Sequence, residues 1–341
     1  MPRIHVFIID GTMSRLKNGE ETNAGLLYKL LHEVPRVSVG YDPGIQGKGI
    51  MKWGHVITGH GINCSIRYGY AILARDYRPG DKIFLFGFSR GAYAVRSIAG
   101  MISRVGLLRP EHSSPKRINK AFRVYENCTD GKRSGRFRRK FSHDSTEIEM
   151  IGVWDTVKAL GLHFPLISRF APMATEFHDH RLSPIIKNAF QALAADENRR
   201  AFAPVRWLYR PDWPGRLEQA WFAGGHSDVG GHIYELPAAR KGSNISLNWM
   251  LSRAAMCGLP LPKDWQSRYP EDPLAPMLGP YAGINKFFLF RNARRFGAPQ
   301  VEYLHESLIK RMQQFPRYRP RLKGYPVSHQ AGSSLREIPS G

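Results

Sequence analysis

The sequence predicts an α/β fold, a mostly parallel sheet with flanking helices and a tight turn after a central strand. Three observations predict it. Short β-rich apolar runs end abruptly in turn chemistry, as Ile4-His5-Val6-Phe7-Ile8-Ile9 does at Asp10-Gly11-Thr12. Stretches of helical pattern separate these runs, the alternation of a parallel sheet. The run Lys82 to Phe86 passes straight through Gly87-Phe88-Ser89-Arg90-Gly91 into a small-residue helical pattern, Ala92, Ala94, Ile98 and Ala99.

Taken in order, Ile4 to Ile9 is a strand buried on both faces, since its apolar run hardly alternates. Asn23 to Leu31 is helical, and Arg36 to Tyr41 is the next strand, followed by Asp42-Pro43-Gly44-Ile45-Gln46-Gly47. That loop lacks both the glycine spacing of a dinucleotide turn and the lysine of a phosphate loop, so it lines a site without being a nucleotide site. Gly61 to Tyr77 is a helix, and Arg78-Pro79-Gly80-Asp81 turns it into the strand that carries Ser89. Ile148 to Trp154 is a strand ending at Asp155. Phe177 to Arg200 reads as helix, with Arg199 and Arg200 in its last turn, where cations suit the helix dipole. Gln219 to Ala223 is a strand opening into Gly224-Gly225-His226-Ser227-Asp228-Val229-Gly230-Gly231-His232. A helix from Leu247 to Cys257 follows, and Val301 to Leu308 leads into a last helical pattern past His305.

The length of 341 residues fits one domain over residues 1–315 and a basic, proline-containing tail over 316–341. Within it, residues of about 110–145 form a basic insertion, where Lys132, Arg133, Arg136, Arg138, Arg139 and Lys140 cluster, read as solvated and mobile ahead of the alternative, a binding arm for an anionic membrane surface. Proline-rich residues of about 259–282 form an irregular lid or surface segment.

Hydrophobic residues at 42% and charged residues at 23% exclude global disorder. Fifty Lys and Arg against 28 Asp and Glu give a net charge of +22, which favours anionic partners such as phospholipid headgroups or nucleic acid. Three scattered cysteines exclude a disulfide framework and a cysteine metal site. His178-Asp179-His180 reads as a polar loop, so neither metal nor cofactor is expected. The start lacks the features of a secretory signal and no apolar run reaches about 18 residues. The expectation is synthesis in the cytoplasm without a cleavable signal, with any export by a route that reads none.

The candidate chemistry starts at Ser89. A serine between glycines at a strand-to-helix turn is held in a strained conformation, exposed at the carboxyl edge of the sheet beside a helix N-terminus: the nucleophile elbow of an α/β-hydrolase-like fold. In such a fold the amide after the nucleophile, here of Arg90, and one from the loop after an earlier strand, here of Gly11 or Thr12, bind the oxyanion. Asp10 either fixes that loop by hydrogen bonding or simply starts a turn. The chain order Ser, acid, His points to His305 as the base. Two acids sit at strand ends: Asp228, favoured on chain order and topology, and Asp155, which would otherwise orient the loops. His226, two residues from Asp228 in the glycine-rich loop, is a candidate to line the substrate site.

Several segments resemble, in order, the α/β-hydrolase domain of unknown function 2235, a family that includes type VI secretion phospholipase effectors. They are Asp10-Gly11-Thr12, Tyr41-Asp42-Pro43-Gly44, Gly87-Phe88-Ser89-Arg90-Gly91-Ala92-Tyr93, Gly152-Val153-Trp154-Asp155-Thr156-Val157, Asp196-Glu197 with Phe202-Ala203-Pro204, His226-Ser227-Asp228-Val229-Gly230-Gly231, and His305-Glu306-Ser307. The resemblance spans most of residues 4 to 312, and departs where similar proteins carry His for Gln191 and Tyr in place of His232-Ile233. It implies a serine hydrolase acting on lipid esters, a phospholipase, with an anionic membrane surface and an immunity or delivery partner. The similar effectors are longer and carry added membrane-anchoring modules. Two other readings stay open: a soluble esterase or peptidase with the same triad, and a non-catalytic anion- or nucleic-acid-binding protein. The last lacks any nucleic-acid fold motif.

Overall fold

The computed structural model of the chain describes residues 2–44, 60–127, 131–157, 181–282 and 288–326. Seven strands, β1 (Ile4–Ile9), β2 (Val37–Asp42), β3 (Lys82–Phe88), β4 (Ile148–Trp154), β5 (Ile186–Ala194), β6 (Arg216–Phe222) and β7 (Glu302–Leu304), form one sheet in the order β2-β1-β3-β4-β5-β6-β7. Every pairing in it is parallel. The expected mostly parallel sheet with flanking helices is what the chain forms.

Strand periodicity explains the two-layered cover. On β1, Phe7 and Ile9 point into one hydrophobic core and Val6 and Ile8 into another. The first core is closed by α2 (His60–Asp76), α3 (Arg90–Val105), α4 (Pro115–Asn127) and α5 (Gly131–Phe141). The second is closed by α1 (Asn23–Leu31) and α7 (Arg240–Met256), whose Leu27, Leu30, Leu247 and Met250 are buried against the sheet. Central strands buried on both faces read as continuous apolar runs because neither face meets water.

Three expectations need correcting. Ile186–Ala194 is a strand and not part of a helix: an alanine-rich run buried on both faces carries no period that separates the two, and its place between β4 and β6 decides. Arg199 accordingly sits in no last turn of an α-helix: it precedes a short 3-10 turn, Arg200–Phe202, and its guanidinium pairs with Glu197. The basic stretch is not a loose insertion, because α4 and α5 bury Ile118, Ala121, Phe122, Val124, Tyr125 and Phe137 against the α2–α3 core while their cations face out. Part of the expected tail is also packed. Leu322–Lys323 pairs with Arg294–Arg295, Leu322 is buried, and the Tyr318 hydroxyl donates to Asp196 Oδ2 at 2.6 Å. Residues 327–341 lie outside the described residues.

The order of strands positions the site. From β1 the chain moves outward to β2, then returns past β1 to β3, so the loops after β1 and β3 diverge. In open parallel sheets that divergence leaves a crevice at the carboxyl edge, where ligands bind. No helix among the described residues is long and apolar enough to cross a membrane.

Candidate active site

Ser89 lies between β3 and α3 with φ of 59° and ψ of −120°, a left-handed conformation that a serine adopts only when its surroundings impose it. The imposition is visible in the neighbouring glycines. A Cβ on Gly91 would sit 2.1 Å from the Ile9 carbonyl oxygen, and one on Gly87 would sit 2.6 Å from the Gly91 carbonyl oxygen. Only with Gly91 bare can the turn pass this close to the end of β1, and only with Gly87 bare can the strand lie this close to the start of the helix. The Ser89 amide donates to the Trp154 carbonyl at 3.0 Å, tying the turn to the adjacent strand.

The partner of the Ser89 hydroxyl is His226, whose Nε2 lies 2.8 Å from Oγ. The other ring nitrogen, Nδ1, lies 2.6 Å from Asp155 Oδ2. Three groups from three strand ends thus form one hydrogen-bonded series, serine after β3, carboxylate after β4, imidazole after β6. Asp155 follows Trp154 with φ of 41°, a second non-glycine residue in the left-handed region. His226 reaches back over the sheet because it opens a single helical turn, α6 (His226–Gly230), whose glycines admit close packing. A Cβ on Gly230 would fall 1.9 Å from the Phe88 ring, and that ring stacks on His226 with centroids 4.8 Å apart.

The second sphere of contacts is equally specific. Arg294 grips Asp155 with both Nη atoms, Nη1 to Oδ1 at 2.5 Å and Nη2 to Oδ2 at 2.9 Å, and also donates to the Ala194 and Phe202 carbonyls. Glu197, paired with Arg199 at 2.6 Å, accepts the His226 amide at 3.1 Å. Phe202 meets the His226 ring edge-on at 4.9 Å.

Electrostatics follow from burial and these pairings. Burial penalises the charge on Asp155, but the Arg294 guanidinium and the His226 hydrogen bond outweigh it and hold the carboxyl well below the usual carboxylate range. For His226 burial wins: it pushes the imidazole below its ordinary 6.5, against the opposing pull of Asp155. The series therefore rests as neutral imidazole beside a carboxylate, the state that can accept a hydroxyl proton. Because protonation of His226 removes that acceptor, the acid limb of kcat/KM on a soluble ester should have its midpoint below the 6.5 of an ordinary imidazole. A pH–rate profile whose acid limb lies above that value would contradict the reading of His226 as base.

The other sequence candidates have different surroundings. His305 is not brought to Ser89. It ends β7, four strands from β3, roughly 19 Å away at ordinary strand spacing. Its ring stacks on Phe222 at 4.5 Å, and its Nδ1 accepts the Ser307 amide at 3.3 Å as the N-cap of α8 (Glu306–Gln314). Burial pushes it down to about 4. Asp228 likewise contacts neither Ser89 nor a histidine. Its carboxylate accepts the amides of Gly225 at 2.8 Å, Leu278 at 2.7 Å and Gly279 at 2.9 Å, pinning the irregular segment to α6. Asp10 accepts from the Gly11 amide at 2.7 Å and from the hydroxyls of Ser14, Thr22 and Tyr41, bracing the loop after β1. That engages the Gly11 amide, leaving Thr12 as the candidate donor from this loop. Arg90 opens α3, its amide at the helix N-terminus beside Ser89.

Sequence reasoning missed Arg294 altogether, since Arg-Asn-Ala-Arg-Arg reads as surface charge, and it misread Arg199. The signal that could have favoured Asp155 and His226 was in hand: Asp155 ends the strand after the elbow, and the order Ser, acid, His holds for Ser89, Asp155 and His226 as well. Among the described residues no three His, Cys, Asp or Glu side chains cluster as metal ligands would. His178 and His180 lie outside the described residues.

Known proteins resemble this chain in sequence and shape. An uncharacterized protein of Saccharomyces cerevisiae is 27% identical over 237 residues, covering 61% of this chain and 33% of its own length. The crystal structure of an uncharacterized Pseudomonas aeruginosa protein is similar at 15% identity and a TM-score of 0.46, over 79% of this chain and 49% of that one. A Tle1 effector bound to the VgrG spike of the type VI secretion system is similar at 20% identity and a TM-score of 0.37, over 67% of this chain and 51% of that one. The chain thus spans about a third of the yeast relative and about half of each of these two proteins. The family model for the catalytic domain of Tle1-like type VI secretion phospholipase effectors matches residues 3–253. With most of its length so matched, the chain belongs to that family.

Proposed function

We propose that the protein hydrolyses carboxylic ester bonds of lipids, phospholipids foremost, with Ser89 as nucleophile, His226 as general base and acid, and Asp155 as the orienting carboxylate. The observation that carries this reading is the unbroken series Ser89 Oγ, His226 Nε2 and Nδ1, Asp155 Oδ2, at 2.8 and 2.6 Å. The Asp155 carboxylate accepts a hydrogen bond from Nδ1–H of His226 and so fixes the tautomer that presents a bare Nε2 to Ser89. As Oγ attacks the ester carbonyl, its proton passes to Nε2, and the imidazolium that forms faces the carboxylate. The amides of Arg90 and Thr12 hold the oxyanion, each such donor being worth about 3 kcal/mol. Collapse of the tetrahedral intermediate expels the alcohol, which takes the proton from Nε2 and leaves an acyl-Ser89. Water, deprotonated by the same nitrogen, then releases the fatty acid.

Membership of a phospholipase effector family supports the lipid as substrate, and the charge of +22 supports an anionic surface as the place of action. Export as a type VI effector on a spike protein, the assembly named for one similar structure, completes the proposal. A fluorophosphonate probe should label wild type at Ser89 and leave folded Ser89→Ala unlabelled. Turnover on phospholipid vesicles should exceed that on dispersed short-chain esters. Labelling or turnover that survives Ser89→Ala removes the serine mechanism, and a preference for dispersed esters removes the lipid.

A further inference from the structure

The strip from Phe288 to Arg294 is fastened to the site at both ends and bare in the middle. It runs antiparallel to residues 198–202. The Arg200 amide donates to the Phe290 carbonyl at 2.9 Å, the Asn292 amide to the Asn198 carbonyl at 2.7 Å, and the backbones of Arg199 and Arg291 form an antiparallel β-bridge. At one end Phe288 packs edge-on against Phe202 with centroids 5.6 Å apart, and Phe202 covers His226. At the other Arg294 holds Asp155. Between them Leu289 and Phe290 are 83% and 77% exposed, more than any other large apolar side chain among the described residues.

What surrounds this pair is cationic and aromatic. Arg200 and Arg321 are exposed and Arg291 is partly so. Half-exposed Tyr281 has its ring beneath two guanidiniums, Arg291 at 3.8 Å and Arg321 at 4.8 Å, and its hydroxyl accepts from Arg321 at 2.7 Å. An apolar tip ringed by guanidiniums and a tyrosine is the composition of a membrane-interface element. The tip enters the acyl boundary, the tyrosine sits at headgroup depth, and the arginines meet lipid phosphates. A folded protein partner of ordinary surface would give the apolar pair a pocket, but no reason for the surrounding positive charge.

We propose that Leu289 and Phe290, flanked by Arg200, Arg291 and Arg321, form the surface by which this protein docks on an anionic phospholipid bilayer. Docking there turns the edge of the sheet that carries Ser89, Asp155 and His226 toward the lipid. The inference rests on the lipid-ester reading above and adds the element that brings enzyme and bilayer together.

The test uses the full chain carrying Ser89→Ala, so that vesicles stay intact, with and without the pair Leu289→Ser and Phe290→Ser. Co-sedimentation is measured with vesicles of phosphatidylcholine alone and of phosphatidylcholine with phosphatidylglycerol. The parent protein should bind the mixed vesicles more tightly. The double substitution should weaken that binding by about tenfold or more, since two large apolar side chains leave the acyl boundary, while the melting temperature is unchanged. In the protein with Ser89 intact, the same pair of changes should leave turnover of a soluble short-chain ester as it was. Unchanged vesicle binding in the double variant, or equal parent binding to both vesicle types, overturns the docking surface. If wild type hydrolyses no phospholipid yet vesicle binding still depends on Leu289 and Phe290, the lipid-ester reading fails and the docking surface stands.

Discussion

Replacing His226 by alanine is expected to lower kcat on a soluble ester by about a millionfold, the loss typical when the base of a serine triad is removed. Replacing His305 by alanine should leave kcat nearly intact. The contrast comes from what each ring touches. His226 stands between Ser89 and Asp155, at 2.8 and 2.6 Å, and among the described residues no other base is hydrogen-bonded to the Ser89 hydroxyl. His305 caps α8 and stacks on Phe222 at the sheet edge, so its loss removes a cap worth about 1 kcal/mol and some aromatic packing. Steady-state kinetics on both variants, each checked for folding by circular dichroism, decides the matter. A folded His226→Ala that keeps its activity, or a folded His305→Ala that loses it, would reverse the assignment.

The second large effect concerns stability. Arg294→Met should cost about 3–5 kcal/mol, because it strands the buried charge of Asp155 without its counter-ion. Asp155 is fully buried and Arg294 nearly so, at 0% and 3% side-chain exposure, so water cannot replace the guanidinium. The sign with pH is definite. A carboxyl whose folded pKa lies below its unfolded 3.8 stabilises the fold above that value, and the contribution fades as pH falls through the folded pKa. The wild type should therefore outlast Arg294→Met at pH 7 by a wide margin that narrows in strong acid. Arg294→Lys keeps the charge, loses the two-pronged grip, and should fall between them. Equal melting temperatures for wild type and Arg294→Met at neutral pH would mean that the pair contributes nothing.

What could be read from the sequence was whatever depends on neighbours along the chain. The elbow is such a case: strand, turn glycines and helix are contiguous, and each glycine answers a clash a few residues away or at the next strand. Ser89 was legible for that reason. The choice between His226 and His305 depends instead on which strands lie side by side, and sequence order does not reveal that β7 is four places from β3. The glycines of the His226 loop hinted at close packing, but the Phe88 ring they make room for sits well over a hundred positions earlier. Arg294 and Asp155 meet across a similar gap, and nothing local marks an arginine that will be buried. The segment Ile186 to Ala194 failed for a different reason: buried on both sides, it has no polar face to betray its period.

The origin of that arginine has a consequence for biosynthesis. The ribosome releases Ser89, Asp155 and His226 well before it reaches Arg294, which lies beyond the residues 3–253 that the family model matches. Until residue 294 emerges, the nascent protein holds Ser89, Asp155 and His226 but not the cation that makes a buried Asp155 tolerable. Assembly of the centre thereby waits on residues downstream of the family match, and a chain stopped at residue 253 would hold Ser89, Asp155 and His226 without the guanidinium that steadies Asp155.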